Sequence, residues 1–239
     1  MGYRSNVEFE LPPQVRLPST SAAEQVVATL RRLIVEGAIP PAARLRETQL
    51  ASGFDVSRQT VREAIRQLAH DGLVRHDRHR GAVVVDLDAA DVTDIYAVRQ
   101  VLETAGVDRL ATVDAEGIAD VERRFEQLAG AATGGGWADV VDADIAFHRS
   151  VTALSGSPRL VRAFDAITAE LAFCLSVLRH VEHEARTPAT IISQHAPIAD
   201  AVTDRDPERL RTLLIEHLGV HAHRLAESLD ARRAAVVDD

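Results

Sequence analysis

The sequence predicts a mainly α protein in two parts, an N-terminal winged helix-turn-helix with a small β-hairpin and a C-terminal all-α helical bundle. Three observations predict this. Two helical stretches and a tight turn lead into an arginine-rich third helix, "VSRQTVREAIRQLAHDGLV", which is followed by two β-prone segments. Beyond residue 87 apolar residues recur only at three- and four-residue spacing, with no strand-like alternation. Charge also changes sign between the parts: residues 1–85 hold 12 Arg against 9 Asp and Glu, and residues 86–239 hold 15 against 27. Two halves of opposite sign point to two tasks.

Residues 1–20, with three prolines, read as a disordered arm. In "SAAEQVVATLRRLIVEGAIPP", Val26, Val27, Leu30, Leu33 and Ile34 share one helical face, stopped by Gly37 and the Pro40-Pro41 pair. A short second helix covers "RETQLAS", and "GFDV" turns into Ser57, a helix N-cap. In the third helix Val61, Ala64, Ile65 and Leu68 form the inward stripe, while Arg58, Gln59, Thr60, Arg62 and Arg66 face away. "LVRH" and "AVVVD", separated by "DRHRG", read as a hairpin with its tip near Gly81. The first unit therefore covers 21–86, and the Asp-rich "DLDAADVTD" marks the boundary. The second unit, 87–231, is expected to hold helices over roughly 89–113, 115–132, 137–154, 158–182, 188–204 and 207–230. Residues 232–239 are expected to be a frayed tail.

A chain of 239 residues with 46% hydrophobic content can bury a sizeable core without covalent staples. Its one cysteine, Cys174 in "ELAFCLSVL", excludes an internal disulfide framework and reads as a buried, inert thiol. The N-terminus lacks a signal-like apolar run, and no stretch approaches the ~20 apolar residues of a spanning helix. A cytoplasmic protein without membrane contact is expected.

The second helix of a helix-turn-helix enters the major groove with its N-terminal residues nearest the base edges. Here those are Arg58, Gln59, Thr60 and Arg62. Arginine matches the two acceptors of guanine, and glutamine can do the same for adenine. Arg66 and the wing at Arg78, His79, Arg80 and Gly81 suit phosphates and the minor groove. Taken singly, an arginine on such a face is more simply solvated. The turn, cap, amphipathic helix and basic hairpin together point to double-stranded DNA. A net charge of -9 is no objection, because phosphate contacts depend on charge within a Debye length of about 8–10 Å.

The run "GAIPPAARLRETQLASGFDVSRQTVREAIRQLAHDGLVRHDRHRGAVV" resembles the GntR family of bacterial transcription regulators. The resemblance rests on the Pro-Pro turn, "L-x-E-x-x-L-A" at Leu45 to Ala51, the "VSRxxVREAIRQL" helix and the "GLV…GAVV" wing. It implies DNA contacts at Arg58, Gln59, Thr60, Arg62 and the wing at Arg80-Gly81. Members usually have Gly after the proline where this chain has Ala42.

A regulator needs an input. Asp144 and His148, four apart in "VVDADIAFHRSV", project from one helical face as a first-row metal site requires. His195 in "SQHAPIADAV" and His217 in "LLIEHLGVHAHRL" lie on later helices and would complete a four-ligand site if the helices converge. With 10 histidines in the chain accidental pairs are expected, His221 shares a face with His217, and a lone His195 is more often a core histidine than a ligand. Residues 86–230 resemble the ligand-binding domain of the FadR-like GntR subfamily, through "DIYAVRQVLETAGVDRLA", "D-x-x-x-H" at 144–148, "SGSPRLV", "QHAPIADAV" and "IEHL". The resemblance implies a divalent metal held by Asp144, His148, His195 and His217, with the metal helping to hold a small carboxylate effector. His221 and His223 fall outside that motif.

Arg99, in "AVRQVLE", could clamp an effector carboxylate bidentately, or pair with Glu103 at i,i+4 within its helix. Zn suits the ligands first, with Ni, Mn or Fe as alternatives. The leading reading is a non-enzymatic, homodimeric regulator, most simply a repressor, that binds a palindromic operator and answers to the effector. A metal-dependent hydrolase fused to a DNA-binding module is the alternative from another class, although the chain offers no general base like the Glu of H-E-x-x-H. A regulator with a purely structural metal is the third.

Overall fold

The computed structural model describes residues 21–181 and 187–237, so the expected arm at 1–20 lies outside the described residues. Helix α1 (Ala22–Val35) opens on a capping box in which Ser21 Oγ accepts from the Glu24 N–H and the Glu24 carboxylate accepts from the Ser21 N–H. Helix α2 (Glu47–Phe54) stops at Asp55, whose φ of 54° makes the tight turn into α3 (Arg58–His70). Ser57 caps α3 by accepting from the Thr60 N–H at 3.0 Å. Val61, Ala64, Ile65 and Leu68 are all buried against α1, as the apolar stripe requires.

Strands β1 (Val74–Asp77) and β2 (Gly81–Val84) pair antiparallel, with Val74 opposite Val84 and Asp77 opposite Gly81. The wing turn is shaped by Asp77, whose Oδ1 accepts from the His79 and Arg80 N–H groups, and by Gly81 at φ 76°. Ala42 holds a left-handed φ of 60°. Its N–H donates to Val84 O and its carbonyl accepts from Arg80 Nη2 at 2.9 Å, so the position customarily given to Gly is strained here.

The remainder is helical: α4 (Ala89–Val107), a 3₁₀ turn at Leu110–Thr112, α5 (Ala115–Gly134), α6 (Trp137–Ala153), α7 (Pro158–Val181), α8 (Pro188–Thr203) and α9 (Pro207–Val237). Two boundaries differ from expectation. The first helix of this unit, expected to reach 113, ends at Val107. Carbonyls of Leu110 and Val113, outside the helix ladder, accept instead from Arg205 Nη1, a partner distant in sequence. Helix α9 continues to Val237, through most of the segment expected as a frayed tail.

One apolar cluster runs from Leu30, Ile34, Ile65 and Leu68 across to Phe164, Leu171 and Leu175 on α7, joining the two parts of the chain. A second, around Leu110, Leu128, Phe147, Val151 and Leu214, fills the far end of the bundle. Cys174 is buried, and burial pushes its thiol well above the usual thiol range, which leaves it protonated and inert.

Candidate metal centre and nucleic-acid interface

Four helices bring the candidate metal-binding residues together. Helix α4 supplies Arg99 and Glu103, α6 supplies Asp144 and His148, α8 supplies His195, and α9 supplies His217. The i,i+4 spacing on α4 and on α6 places each pair on one inward face. Ligand atoms of His148, His195 and His217 lie within 4.8 Å of one another. His195 Nε2 stands 3.1 Å from Asp144 Oδ1 and 3.3 Å from His148 Nε2. All four residues expected as ligands are thus neighbours, and Phe147 closes the apolar side edge-on to His148 and His195.

Hydrogen bonding fixes what these atoms present. The Ile191 carbonyl, 2.8 Å away, can only accept, so His195 Nδ1 donates. Glu103 Oε2 lies 2.6 Å from His148 Nδ1. Burial by itself would raise the Glu103 carboxyl, but His148 and Arg99 outweigh it and hold the carboxyl below its usual range. Glu103 is therefore an acceptor and His148 Nδ1 a donor. Burial, assisted by Arg99, holds His148 below its ordinary value, and burial with the neighbouring His195 and His221 holds His217 well below it. Asp144 stays ionised as well, since His195, His148 and Arg99 overcome the penalty of burial. His148 and His195 turn their Nε2 atoms toward each other, and His195 Nε2 also faces Asp144 Oδ1. With those nitrogens unprotonated, imidazole and carboxylate acceptors converge on one point, the donor set that a divalent cation takes. Asp144 Oδ2 is buried without a hydrogen bond, its neighbouring charge being Arg99 Nη2 at 3.9 Å.

Of the two readings of Arg99, the i,i+4 pair with Glu103 is present. Its Nε donates to Glu103 Oε1 at 2.6 Å, and its Nη2 faces Asp144, with the Tyr96 ring 5.4 Å from the guanidinium carbon. Sequence reasoning treated Glu103 only as the alternative partner of Arg99 and missed its hold on His148. The i,i+4 pairing was the available signal; what joined it to His148 is the crossing of α4 and α6. His221, left outside the motif, is buried with its ring centroid 4.5 Å from that of His217, whereas His223 is exposed beside Glu227. A cavity of about 260 Å³ between α8 and α9, lined by Ser193, Gln194, Pro197, Glu216, His217 and His221, opens to solvent next to the cluster.

On the other part of the chain, Arg58, Gln59, Arg62, Arg66, Arg80 and Gly81 are exposed, as their expected contact with DNA requires. Thr60 is half-buried, and its hydroxyl lies 2.8 Å from Ser57 Oγ at the head of α3. Arg62 is engaged bidentately by Glu47, Nε at 3.1 Å and Nη2 at 2.8 Å. Glu47, noted from sequence only as the acid of "L-x-E-x-x-L-A", fixes the direction of Arg62 from α2.

Comparison with known proteins decides the family. Residues 22–84 match the model described as "Bacterial regulatory proteins, gntR family", and residues 94–220 match the FCD domain. The chain belongs to the GntR family. It is a DNA-binding transcription regulator of the type that joins a GntR helix-turn-helix to an FCD domain, here a helical one. It is 30% identical over 221 residues to the probable D-xylose utilization operon transcriptional repressor of Paenarthrobacter nicotinovorans, covering 92% of this chain and 96% of the relative. It is 29% identical to the HTH-type transcriptional repressor RspR of Escherichia coli, covering 84% and 87% of the two chains. A solved GntR transcriptional regulator from Rhodococcus sp. RHA1 superposes with a TM-score of 0.72 at 30% identity, covering 86% of this GntR chain and 98% of that one. Among the described residues no helix is long and apolar enough to cross a membrane.

Proposed function

We propose that this GntR regulator is a homodimeric, cytoplasmic repressor whose hold on a palindromic operator is set by a small carboxylate effector bound at a divalent metal. The observation that carries the proposal is the convergence of Asp144 with the His148, His195 and His217 rings, a carboxylate and three imidazoles whose ligand atoms meet in the bundle. Those four residues hold the ion, zinc first by ligand chemistry, with Ni, Mn or Fe as alternatives. Bound there, the metal supplies a positive centre for an effector carboxylate. The chain's own residues do the rest. Glu103 and the Ile191 carbonyl orient two of the imidazoles, and Arg99 adds a second cation beside Asp144. The cavity at His217 and His221 is the way in from solvent.

Dimerisation suits half-site recognition, since a single helix-turn-helix binds weakly. Val98 and Val101 on α4, with Ile215 and Val220 on α9, are exposed apolar residues on two helices that pack against each other, and they support a partner surface there. Effector binding then shifts the separation of the two recognition helices, by no more than its difference in affinity for the two states.

The test is a thermal-shift screen of metal-loaded, untagged protein against sugar acids, hydroxy acids, dicarboxylates and fatty acids. An effector at a hundred times its dissociation constant stabilises the native state by about 2.7 kcal/mol. A hit that disappears after chelation and in His195→Ala supports the reading. A metal-loaded protein that answers to none of them sinks the carboxylate effector and leaves the metal structural.

A further inference from the structure

The DNA-binding face has a second cationic feature besides the recognition helix. The extended segment leading into α2 carries Arg44, Leu45 and Arg46, and Arg44 forms an antiparallel bridge with Val83 while the Leu45 N–H donates to Ala82 O. Alternation along an extended chain sends Leu45 into the core, where it is 6% exposed, and leaves both arginines on the opposite, solvent face. Between this segment and the wing lies a cleft of about 530 Å³, walled by Arg44, Arg46, Thr48, His76, Arg80 and Gly81. The one carboxylate lining it, Glu47, is committed to Arg62. Among the described residues no acid is paired with Arg44, Arg46 or His76.

The position of the cleft is as informative as its charge. One wall reaches α3 through the Glu47–Arg62 pair, and the other is the wing tip at Arg80-Gly81. A duplex that accepts α3 in its major groove and the wing beside it must carry its backbone across the gap between them. We infer that this cleft seats a backbone phosphate of the bound duplex, with Arg44 and Arg46 as its cations, contacts that set the register of α3 without reading a base. The inference rests on the DNA-binding reading. It adds two positioning residues that lie outside the recognition helix and the wing.

Fluorescence anisotropy with a labelled 30-base-pair duplex of random sequence, titrated with full-length protein from about 50 to 200 mM salt, tests it. Each neutralised phosphate contributes about 0.9 to the slope of log affinity against log salt. Arg44→Gln/Arg46→Gln should therefore lower the slope by about 0.9 and weaken binding at low salt, while Arg44→Lys/Arg46→Lys restores most of both. Arg162→Gln, far from the cleft on α7, should match wild type. Wild type that binds with an unchanged slope in the Gln variant overturns the phosphate seat alone. So does a Lys variant as weak as the Gln variant, because a phosphate accepts either cation. Wild type with no salt-dependent binding overturns the DNA-binding reading itself, and the seat with it. Both arginines are exposed, so an unchanged melting temperature accompanies the expected result.

Discussion

In the helical part, Arg99, Glu103, Asp144 and His148 are each at most 5% exposed, and every charge faces another buried polar group. On the DNA-binding face, Arg44, Arg46, Arg58 and Arg66 stand in solvent. The residue types are similar and the physics is opposite. A buried charge is tolerable only when paired and hydrogen-bonded, so the buried network fixes its members in one arrangement. An exposed arginine bears little desolvation cost and can wait for phosphate. Removing one member should therefore be costly in the first region for folding, and in the second only for binding.

The largest expected effect is Glu103→Ala, which strips both the Arg99 guanidinium and the His148 Nδ1–H of their partner. Urea unfolding should register a loss of about 3–5 kcal/mol, against under about 0.5 kcal/mol for Arg58→Ala. Equal losses in the two variants would dissolve the contrast. Next comes His195→Ala, for which competition with a chromophoric chelator should show zinc affinity falling about 100-fold or more, with Arg66→Ala unaffected. Retention of wild-type affinity would remove His195 from the ligand set.

A smaller effect sharpens the comparison at the base of the wing. Ala42 is strained at φ 60°, so Ala42→Gly should raise unfolding stability by about 0.5–1 kcal/mol. A loss instead would mean that the Ala methyl contributes packing that outweighs the strain.

The smallest concerns the seam between the two parts, where the Glu170 side chain of α7 lies against Gly72 at the start of the wing. Burial, then Asp91 and Asp94, raises the Glu170 carboxyl above its ordinary 4.5. A raised acid favours folding while protonated, so its contribution is full below pH 4.5 and is lost as pH rises through the folded value. Glu170→Gln should thus be more stable than wild type at pH 7, by a few tenths of a kcal/mol after solvent screening, and equal to it near pH 4. Thermal melts at the two pH values measure the difference, and a variant less stable at pH 7 would contradict it.

Much of the fold was legible because its signals are local. The α3 stripe of Val61, Ala64, Ile65 and Leu68 obeys the helical period, Ser57 announces its helix, and "DRHRG" lies between two β-prone runs. The candidate ligands were legible as residue types on the right helical faces. Their convergence was not, since spacing within one helix says nothing of how α6, α8 and α9 cross. Glu103 and Glu47 were passed over for the same reason: each acts on a residue from a different element, His148 for one and Arg62 for the other.

The sequence by itself determined the helices, the wing, the family and the opposite charge of the two parts, because period, capping and composition act between near neighbours. Tertiary structure decided where α4 ends, since Arg205 arrives from far along the chain to take the carbonyls of Leu110 and Val113. It also decided that four polar residues on three helices become one cluster of potential metal ligands, and that Arg44 and Arg46 flank the wing. Those outcomes depend on packing across the chain, where burial turns an ordinary histidine or carboxylate into a group that must find a partner.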